Sequence, residues 1–415
     1  MSILQINYDR NSFPEQSEAV TLPGSKSIAA RLLVLDYINS KGEAMAERDG
    51  MPDCDDTIFL SNALRRLKDG GADGRYDLGS GAASLRFFVA LAASLPGFEG
   101  VVDCSAQLRR RPLSPLINAL RGIGADIECM ERVGYPPLYI KGKTLRGGKV
   151  RVDGSVSSQF VSAMLLVEKL WIRPLTLRID GEEVSRPYSE MTRRVVENYA
   201  KCEVEPDWSA AAFFYEVALL CPGREILLGR LTDPAVSVQG DAASRDIFNL
   251  LGVETTLHDD GSATLKGNAS VIRRMSYSGI PLELDLNGMP DLVPALAVGM
   301  ALAGIKYRFV NIGHLRHKES DRISALQMEM EKIGFGLESG SDWLSWTGRR
   351  LPVGENETVD SHDDHRIVMA FAPVAAKLNY VGIRGAECVA KSFPGFVAEL
   401  EKLGFTAKFI DNKNR

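Results

Sequence analysis

The sequence predicts an α/β protein made of repeated β-α-β units whose helices are buried. At least six loops of small and polar residues open directly into apolar helices. Several of these helices are apolar on almost every side, so they must lie beneath sheets or other helices. Short alternating segments follow helices after a glycine, and this pattern recurs in both halves of the chain.

Each polar loop in this pattern stands at the start of a predicted helix. The predicted helices cover residues 28–35, 84–91, 160–167, 292–302, a segment from 323 onward, and 367–376. Free backbone N–H groups and the positive end of the helix dipole make helix starts suitable for anions. If several starts converge, we expect phosphates and carboxylates to bind between them.

A glycine ends the helix and a strand follows in four segments, which span residues 116–128, 247–254, 326–338 and 400–405. Glycine readily adopts the left-handed backbone conformation that commonly ends a helix. The alternating residues after each glycine are typical of a strand. We therefore predict β-α-β units in both halves of the chain.

Composition narrows the functional classes. A chain of 415 residues with 45% hydrophobic residues is long enough for two or three domains. Its net charge of −5 argues against nucleic acid as a partner. The six cysteines are scattered without metal-ligand spacing, so we expect reduced thiols and no zinc site.

We expect a cytoplasmic protein without a membrane partner. The first ten residues lack a basic region followed by an apolar stretch, so no signal peptide is predicted. The longest apolar segment, 292–305, is too short to cross a bilayer and contains Pro294. A buried helix is the better interpretation of this segment.

Residues 316–322 carry the most specific cluster of charges. The segment reads Arg-His-Lys-Glu-Ser-Asp-Arg and includes three fixed cations and two carboxylates. On an exposed helix these residues could simply form salt bridges. At the start of an apolar helix, Lys318 could instead bind a phosphate, Glu319 could donate a proton and Arg322 could bind a carboxylate.

A second charged segment, His-Asp-Asp-His-Arg at residues 362–366, allows two interpretations. Two histidines three residues apart can share a helical face and bind a metal. However, the segment lies at a helix start, and no third cluster of ligands is evident. We favour helix-capping carboxylates beside an anion-binding His365 and Arg366.

The remaining polar segments have ordinary structural explanations when each is taken alone. Lys26 could be a solvated lysine in a turn, and Asp291 could be a plain N-cap. The serines of residues 157–159 and 185–188 could cap helices, although their hydroxyls also suit a polyhydroxylated ligand.

Three consecutive arginines precede Pro112. A solvated charge run is the simpler explanation for Arg109 and Arg110. Proline stiffens the turn beside Arg111, so we expect Arg111 to point inward.

Taken together and in order, these segments resemble the EPSP synthase (5-enolpyruvylshikimate-3-phosphate synthase) family of enolpyruvyl transferases. The resemblance covers nearly the whole chain, and Lys-Glu-Ser-Asp-Arg followed by Asp-His-Arg is its most specific part. The matching segments are residues 22–27, 111–112, 154–160, 185–188, 289–291, 318–322, 364–366 and 391–394.

The resemblance implies two similar domains, each of three β-α-β-α-β-β units with helices inside and sheets outside, as in an inside-out α/β barrel. Residues 21–205 would form an N-terminal lobe, mainly on the shikimate 3-phosphate side. Residues 1–20 and 206–415 would form a C-terminal lobe, with the active-site cleft between the two lobes. The family is usually monomeric, and no metal or organic cofactor is implied.

The implied reaction transfers the enolpyruvyl (carboxyvinyl) group of phosphoenolpyruvate to the 5-hydroxyl of shikimate 3-phosphate and releases phosphate. It belongs to the shikimate pathway of chorismate and aromatic amino acid biosynthesis. The residues implied to bind shikimate 3-phosphate are Ser27, Arg31, Ser157, Ser158, Ser185, Tyr188 and Lys318. Those implied to bind phosphoenolpyruvate are Lys26, Arg111, Gln159, Arg322, Arg366 and Lys391. Acid–base catalysis would fall to Asp291 and Glu319, with Lys26 and His365 close by.

The chain departs from the family pattern in two places. The family commonly has Gly-Asn-Ala-Gly-Thr before an arginine, whereas residues 79–86 read Gly-Ser-Gly-Ala-Ala-Ser-Leu-Arg. Ala82 then replaces a glycine that lines the phosphoenolpyruvate pocket, so we expect weaker inhibition by glyphosate. A hairpin common in the family is missing between Tyr199 and Glu205.

Three other functions are weaker matches. A related transferase that acts on UDP-N-acetylglucosamine would show Lys-Asn near the start and a reactive cysteine in an arginine-bearing loop, but here Ser27 follows Lys26. A non-catalytic phosphate-binding module would need the cations but not Asp291 and Glu319. A metal-dependent hydrolase built on the two histidines would lose activity with a chelator.

Overall fold

Helices and strands alternate along the chain, as the recurring pattern of loop, helix and glycine predicts. The computed structural model describes residues 2–14, 18–42, 48–70, 74–153, 157–181, 183–354 and 358–411. The strands are β1 (Ser2–Tyr8), β2 (Arg75–Asp77), β3 (Glu99–Asp103), β4 (Asp126–Cys129), β5 (Leu138–Lys141), β6 (Gly147–Asp153), β7 (Arg173–Asp180), β8 (Glu225–Leu228), β9 (Val253–Leu257), β10 (Ala263–Gly267), β11 (Leu282–Asp285), β12 (Tyr307–Val310), β13 (Glu338–Ser339), β14 (Leu344–Trp346), β15 (Thr358–Asp360), β16 (Tyr380–Arg384) and β17 (Phe405–Asp411). The helices are α1 (Lys26–Asn39), α2 (Asp55–Lys68), α3 (Ala82–Ser94), α4 (Ser114–Gly122), α5 (Ser158–Val167), α6 (Arg186–Glu197), α7 (Trp208–Leu220), α8 (Ser244–Leu250), α9 (Ala269–Ser276), α10 (Val293–Leu302), α11 (Arg322–Lys332), α12 (His365–Phe371), α13 (Ala375–Leu378) and α14 (Phe396–Glu401).

The chain divides into two compact units. The N-terminal unit is Gly24–Glu205, and the C-terminal unit is Pro206–Arg415 together with Met1–Pro23. Strand β1 lies between β16 and β17 and is antiparallel to both, so that Ile6 lies opposite Val381 and Ala407. The first strand of the chain therefore completes a sheet whose other strands come from its last sixty residues.

The N-terminal unit contains two sheets in its described residues. Strands β2, β3, β5 and β4 form one sheet in that order, with β2 parallel to β3, and β6 pairs in parallel with β7. Helix α3 packs against α1, α5, β3 and β5, and all of its residues but Ala83 are buried. Burying each large apolar side chain of such a helix contributes roughly 1.5–3 kcal/mol.

The C-terminal unit contains three sheets in its described residues, with strand orders β15-β16-β1-β17, β8-β10-β9 and β11-β12-β14-β13. The order β11-α10-β12-α11-β13-β14 is one β-α-β-α-β-β repeat, and the N-terminal unit has another in β2-α3-β3-α4-β4-β5. Helices α7 and α10 pack against each other, and every residue of α7 is buried. The predicted α/β class with buried helices in repeated units is confirmed.

The six predicted helices are present, but the last is shorter than expected. The sequence predicts one helix over residues 367–376, whereas α12 ends at Phe371, a 3₁₀ turn follows at Ala372–Val374, and α13 begins at Ala375. Pro373 explains the break, because proline has no N–H to donate within an α-helix. Its ring also clashes with the preceding turn of an α-helix.

The glycines predicted to end helices have the expected backbone. Gly252 has a φ of +96° and lies between α8 and β9. A Cβ added there would lie 2.9 Å from a side-chain carbon of Val271, so both conformation and space favour glycine. The same order of helix, left-handed glycine and strand recurs at Gly124.

Residues 199–205 contain a 3₁₀ turn at Tyr199–Lys201 and no strand. This agrees with the missing hairpin inferred from the sequence. Across the described ranges, no helix combines the length and apolar character needed to cross a membrane.

Candidate active site

Arg322 is the centre of a buried charge network in the C-terminal unit. It begins α11, whose N-terminus is capped by Asp321 through a bond from the Ser324 amide at 3.1 Å. The guanidinium is 1% exposed and donates to three carboxylates. Its partners are Asp291 Oδ1 at 2.7 Å, Glu319 Oε2 at 2.8 Å and Asp364 Oδ2 at 2.8 Å.

Asp291 is held by two arginines. Its Oδ2 accepts a hydrogen bond from Arg366 Nη2 at 2.7 Å, while its Oδ1 faces Arg322. Burial alone would raise the pKa of Asp291, but the positive charges of Arg366, Lys318 and Arg322 outweigh burial and lower the pKa well below its usual range. Asp291 is therefore an ionised carboxylate, the form that can accept a proton.

Asp364 connects this network to α12. Its side chain is fully buried, accepts from Arg322 Nε, and also accepts from Ser320 Oγ at 3.1 Å. It caps α12 by accepting the Arg366 amide at 3.0 Å. Arg366 is thereby fixed in direction at both ends, through its backbone at Asp364 and through its guanidinium at Asp291.

Lys391 and His365 lie beside the network. Lys391 Nζ donates to the backbone oxygen of Asp363 and to its Oδ1, both at 2.7 Å. His365 begins α12 and is 1% exposed. Lys318 acts on Asp291 through its charge.

Two titratable residues close to this network were not singled out from the sequence. Burial and the nearby charge of Lys318 lower the pKa of His314 to about 3, so its imidazole is neutral. Burial and the charge of Asp291 raise the pKa of Asp241 to about 7, against a hydrogen bond from Ser209 Oγ. Neither residue carries a sequence signal, because each effect depends on neighbours that only folding provides.

In the N-terminal unit, α1 presents a buried arginine. Arg31 is 2% exposed, and burial lowers its pKa to about 10. Its guanidinium donates to the backbone oxygens of Ser27 at 2.6 Å and Tyr188 at 2.9 Å. Hydroxyl oxygens of Thr192 at 2.7 Å and Ser162 at 3.2 Å complete the set. The structure thus joins three predicted residues, Ser27, Arg31 and Tyr188, and adds two that sequence reasoning missed.

Lys26 is the first residue of α1 and pairs with a carboxylate of α2. Its Nζ lies 3.0 Å from Asp56 Oδ2, and the two side chains are 14% and 18% exposed. The backbone oxygen of Asp56 also accepts from Ser84 Oγ at 2.8 Å, which ties α2 to the first turn of α3. Helix α3 begins at Ala82, so the divergent segment 79–86 includes its first turn and the Ser84 side chain that makes this hydrogen bond.

The predicted residues Ser157, Ser158 and Ser185 have three different structural positions at or near helix starts. Ser157 caps α5 by accepting the Gln159 amide at 3.2 Å, and Ser158 is buried within the same helix. Ser185 precedes α6 with a φ of +56°, a strained value for a residue other than glycine, and such strain often marks functional sites. The start of the matching segment, residues 154–156, lies outside the described residues.

The three consecutive arginines differ in their surroundings. Arg109 donates from Nε to Asp103 Oδ1 at 2.8 Å and from Nη1 to Glu131 at 3.1 Å, at the surface. Arg110 is exposed, whereas Arg109 and Arg111 are both half-buried, so burial does not separate Arg111 from Arg109. In the site as a whole, the predicted residues form separate groups within each unit, one around Arg322 and another around Arg31.

The structure has the two-domain α/β fold that solved enolpyruvyl transferases also have. The structure is similar to that of an EPSP synthase from Acinetobacter baumannii, with a TM-score of 0.70, 21% identity and coverage of 99% of this chain and 100% of the other. It is also similar to the enolpyruvyl transferase NikO from Streptomyces tendae, with a TM-score of 0.69, 14% identity and 99% coverage of both chains.

Sequence comparison places the chain more narrowly. The family model of EPSP synthase (3-phosphoshikimate 1-carboxyvinyltransferase) matches residues 13–200 and 195–400. A 3-phosphoshikimate 1-carboxyvinyltransferase of Bacteroides fragilis is 34% identical over 420 residues, covering 96% of this chain and 98% of its own length. One from Syntrophobacter fumaroxidans is 34% identical over 425 residues, covering 92% and 96%. The chain belongs to the EPSP synthase family.

Proposed function

We propose that this protein is a 3-phosphoshikimate 1-carboxyvinyltransferase of the shikimate pathway, which supplies chorismate for aromatic amino acid biosynthesis. It transfers the enolpyruvyl group of phosphoenolpyruvate to the 5-hydroxyl of shikimate 3-phosphate and releases phosphate. In a chain of this family, the observation that carries the proposal is the buried network in which Arg322 and Arg366 hold Asp291 ionised.

The reaction needs one base and one acid that work on different atoms. A proton is added to the methylene carbon of phosphoenolpyruvate, and the adjacent carbon becomes cationic. The 5-hydroxyl oxygen of shikimate 3-phosphate bonds to that carbon and loses its proton. The tetrahedral intermediate then loses phosphate and a methyl proton, which restores the double bond.

Asp291 would act as the base. Its carboxylate is ionised, as a general base must be, and an anionic substrate that binds Arg366, Lys318 or Arg322 would offset the positive charge that now lowers its proton affinity. Glu319 would exchange the proton at the methylene carbon; its side chain is 20% exposed and lies 2.8 Å from Arg322 Nη2. Lys26 and His365 would assist the acid–base steps.

Cationic and polar side chains of the protein would bind the two anionic substrates. The residues that would bind phosphoenolpyruvate are Arg111, Arg322, Arg366, Lys26, Lys391 and Gln159. Those that would bind shikimate 3-phosphate are Ser27, Arg31, Ser157, Ser158, Ser185, Tyr188 and Lys318. Preorganised cations offset the repulsion between the substrates and stabilise the charge that develops in the transition state. The ion pairs within the protein keep those cations oriented when no substrate is bound.

The protein would act as a monomer in the cytoplasm on these two small molecules, without a nucleic-acid partner. The net charge of −5 supports the absence of a nucleic-acid partner, since a general affinity for nucleic acid requires an excess of positive charge. No metal or organic cofactor has a part in this proposal.

Phosphate release from the purified protein tests the proposal. Release should require both phosphoenolpyruvate and shikimate 3-phosphate and stop when either is omitted. Asp291→Asn and Glu319→Gln should each lower kcat by about 10²- to 10⁴-fold, the usual contribution of a general acid or base. Matched exposed changes in the same unit, Asp259→Asn and Glu338→Gln, should leave kcat unaltered. If the well-folded protein releases no phosphate with both substrates present, the proposed function is disproved.

A further inference from the structure

Two consecutive residues before Asp364 have a left-handed backbone. His362 has a φ of +51° and Asp363 a φ of +55°, and neither is a glycine. Side chains with a Cβ disfavour this conformation, so two in succession persist only when surrounding contacts hold them. The turn ends at Asp364, which caps α12 and pairs with Arg322.

A hydrogen bond to a buried glutamate holds the first of these two residues. His362 Nε2 lies 2.7 Å from Glu329 Oε1, and the Glu329 side chain is 1% exposed. The second carboxylate oxygen of Glu329 accepts from Lys332 Nζ at 2.7 Å and from the Asp360 amide at 2.8 Å. Glu329 therefore joins α11, the end of β15 and the turn. It lies two helical turns after Arg322 on the same helix.

The second left-handed residue is held from the other side. Lys391 donates to both the backbone oxygen and the carboxylate of Asp363 at 2.7 Å. A phosphate or carboxylate that takes over this lysine would weaken its contact with Asp363. The bond between His362 and Glu329 would then carry a larger share of holding the turn.

We propose that His362 is a positioning residue for phosphoenolpyruvate: its bond to Glu329 holds the left-handed turn that directs Asp364 and Arg366 into the charge network. This inference rests on the proposed function. The turn is anchored to α11, and Asp364 and Arg366 are anchored to the same helix and to Asp291. A loosened turn would therefore misdirect Arg366 without removing any group that touches the substrate.

The charges around His362 favour its protonated form. The groups that face it are Glu329 and Lys332 on α11 and Asp360 at the end of β15. The hydrogen bond that His362 donates to the Glu329 carboxylate raises the pKa of His362 above its ordinary 6.5, against the opposing effects of burial and Lys332. The charged bond is therefore complete at low pH and is lost as the pH rises through the raised pKa.

Steady-state kinetics of His362→Gln tests the proposal. Glutamine keeps a hydrogen-bond donor but removes the positive charge. We expect the KM for phosphoenolpyruvate to rise about ten-fold, as for the loss of one charge-assisted hydrogen bond, with the KM for shikimate 3-phosphate within about two-fold of wild type. In the wild type the KM for phosphoenolpyruvate should also rise at alkaline pH, and in His362→Gln that pH dependence should be absent.

Two further variants separate the bond from the backbone strain. His362→Ala keeps a Cβ in the strained left-handed conformation but cannot reach Glu329, and it should show at least the same rise in KM. His258→Gln is a matched control, because His258 is an exposed histidine that bonds to Thr264 in the same unit. Its kinetics should equal those of wild type. A His362→Ala enzyme with wild-type KM, or equal changes in both KM values, would overturn the positioning role.

Amide hydrogen exchange tests the same inference without any substrate. The Asp364 amide donates to Ser361 and the Arg366 amide donates to Asp364. Both should exchange faster in His362→Gln than in wild type, and equal rates would overturn the inference. A wild-type protein that releases no phosphate would instead contradict the proposed function, and the exchange rates would still decide whether His362 holds the turn.

Discussion

Glu216 is a buried carboxyl group whose removal should stabilise the protein at neutral pH. It lies in α7, where it has no exposed surface, and neither carboxylate oxygen has a hydrogen-bond partner among the described residues. Its Cγ lies 3.0 Å from the place where a Cβ on Gly299 of α10 would be. Helix α10 thus approaches α7 closely at a glycine, and the glutamate side chain occupies the space that remains.

The magnitude follows from proton linkage. Burial raises the pKa of Glu216 well above its ordinary 4.5, so at pH values between the unfolded and the folded pKa the folded protein retains the proton and the unfolded chain loses it. Each pH unit between the unfolded and folded pKa lowers the free energy of unfolding by about 1.4 kcal/mol. The loss therefore accumulates from about pH 4.5 up to the folded pKa. This stability is present at low pH and disappears as the pH rises.

Glu216→Gln removes this titration while nearly preserving shape. Its advantage over wild type in the free energy of unfolding should be larger at pH 7 than at pH 4.5, growing by about 1.4 kcal/mol for each pH unit between the unfolded and the folded pKa. Urea unfolding at several pH values measures the difference, followed by tryptophan fluorescence. Trp208 lies on the same helix, and Trp343 and Trp346 lie in the same unit.

The pH dependence of the difference is the decisive quantity. A constant offset between variant and wild type would reflect only the packing of an amide in place of a carboxyl group. Glu338→Gln, an exposed change on β13, should show no such pH dependence. The reasoning is refuted if the advantage of Glu216→Gln at pH 7 is no larger than at pH 4.5.

Two further predictions concern the site. Asp364→Asn gives Arg322 a neutral partner in place of one of its three carboxylates, so thermal or urea unfolding should show a loss of about 1.5–3 kcal/mol, and an exposed Asp259→Asn control should show none. Ala82→Gly removes a methyl group at the first turn of α3, so glyphosate should inhibit phosphate release more strongly than in wild type; equal inhibition would show that Ala82 does not limit that ligand.

The features that could be predicted from the sequence are those that depend on neighbouring residues. Apolar residues on every side of residues 160–167 require a buried helix wherever the chain places it, and α5 is buried. Arg322 and Glu319 are three residues apart at a helix start, so their pairing follows from local geometry. The motif that contains them was also the most specific part of the family resemblance.

Tertiary structure decided which distant residues meet. Arg31 bonds to Ser162 and Thr192, which are 131 and 161 residues away, and His362 bonds to Glu329, 33 residues before it. No periodicity links such positions, because their distance depends on how whole helices pack. The raised pKa of Asp241 has the same origin, since it requires burial and the nearby charge of Asp291.

Residue types and local spacing thus determined the fold class, the buried helices and the charged segments of this protein. Packing decided which carboxylates the buried arginines face and where the chain bends. The break at Pro373 is an exception, because a proline has no N–H to donate within an α-helix and so ends the helix locally. The physical reason is the distance along the chain over which each kind of interaction acts. Helical periodicity and capping act within a few residues, whereas burial and ion pairing depend on every element that surrounds a side chain.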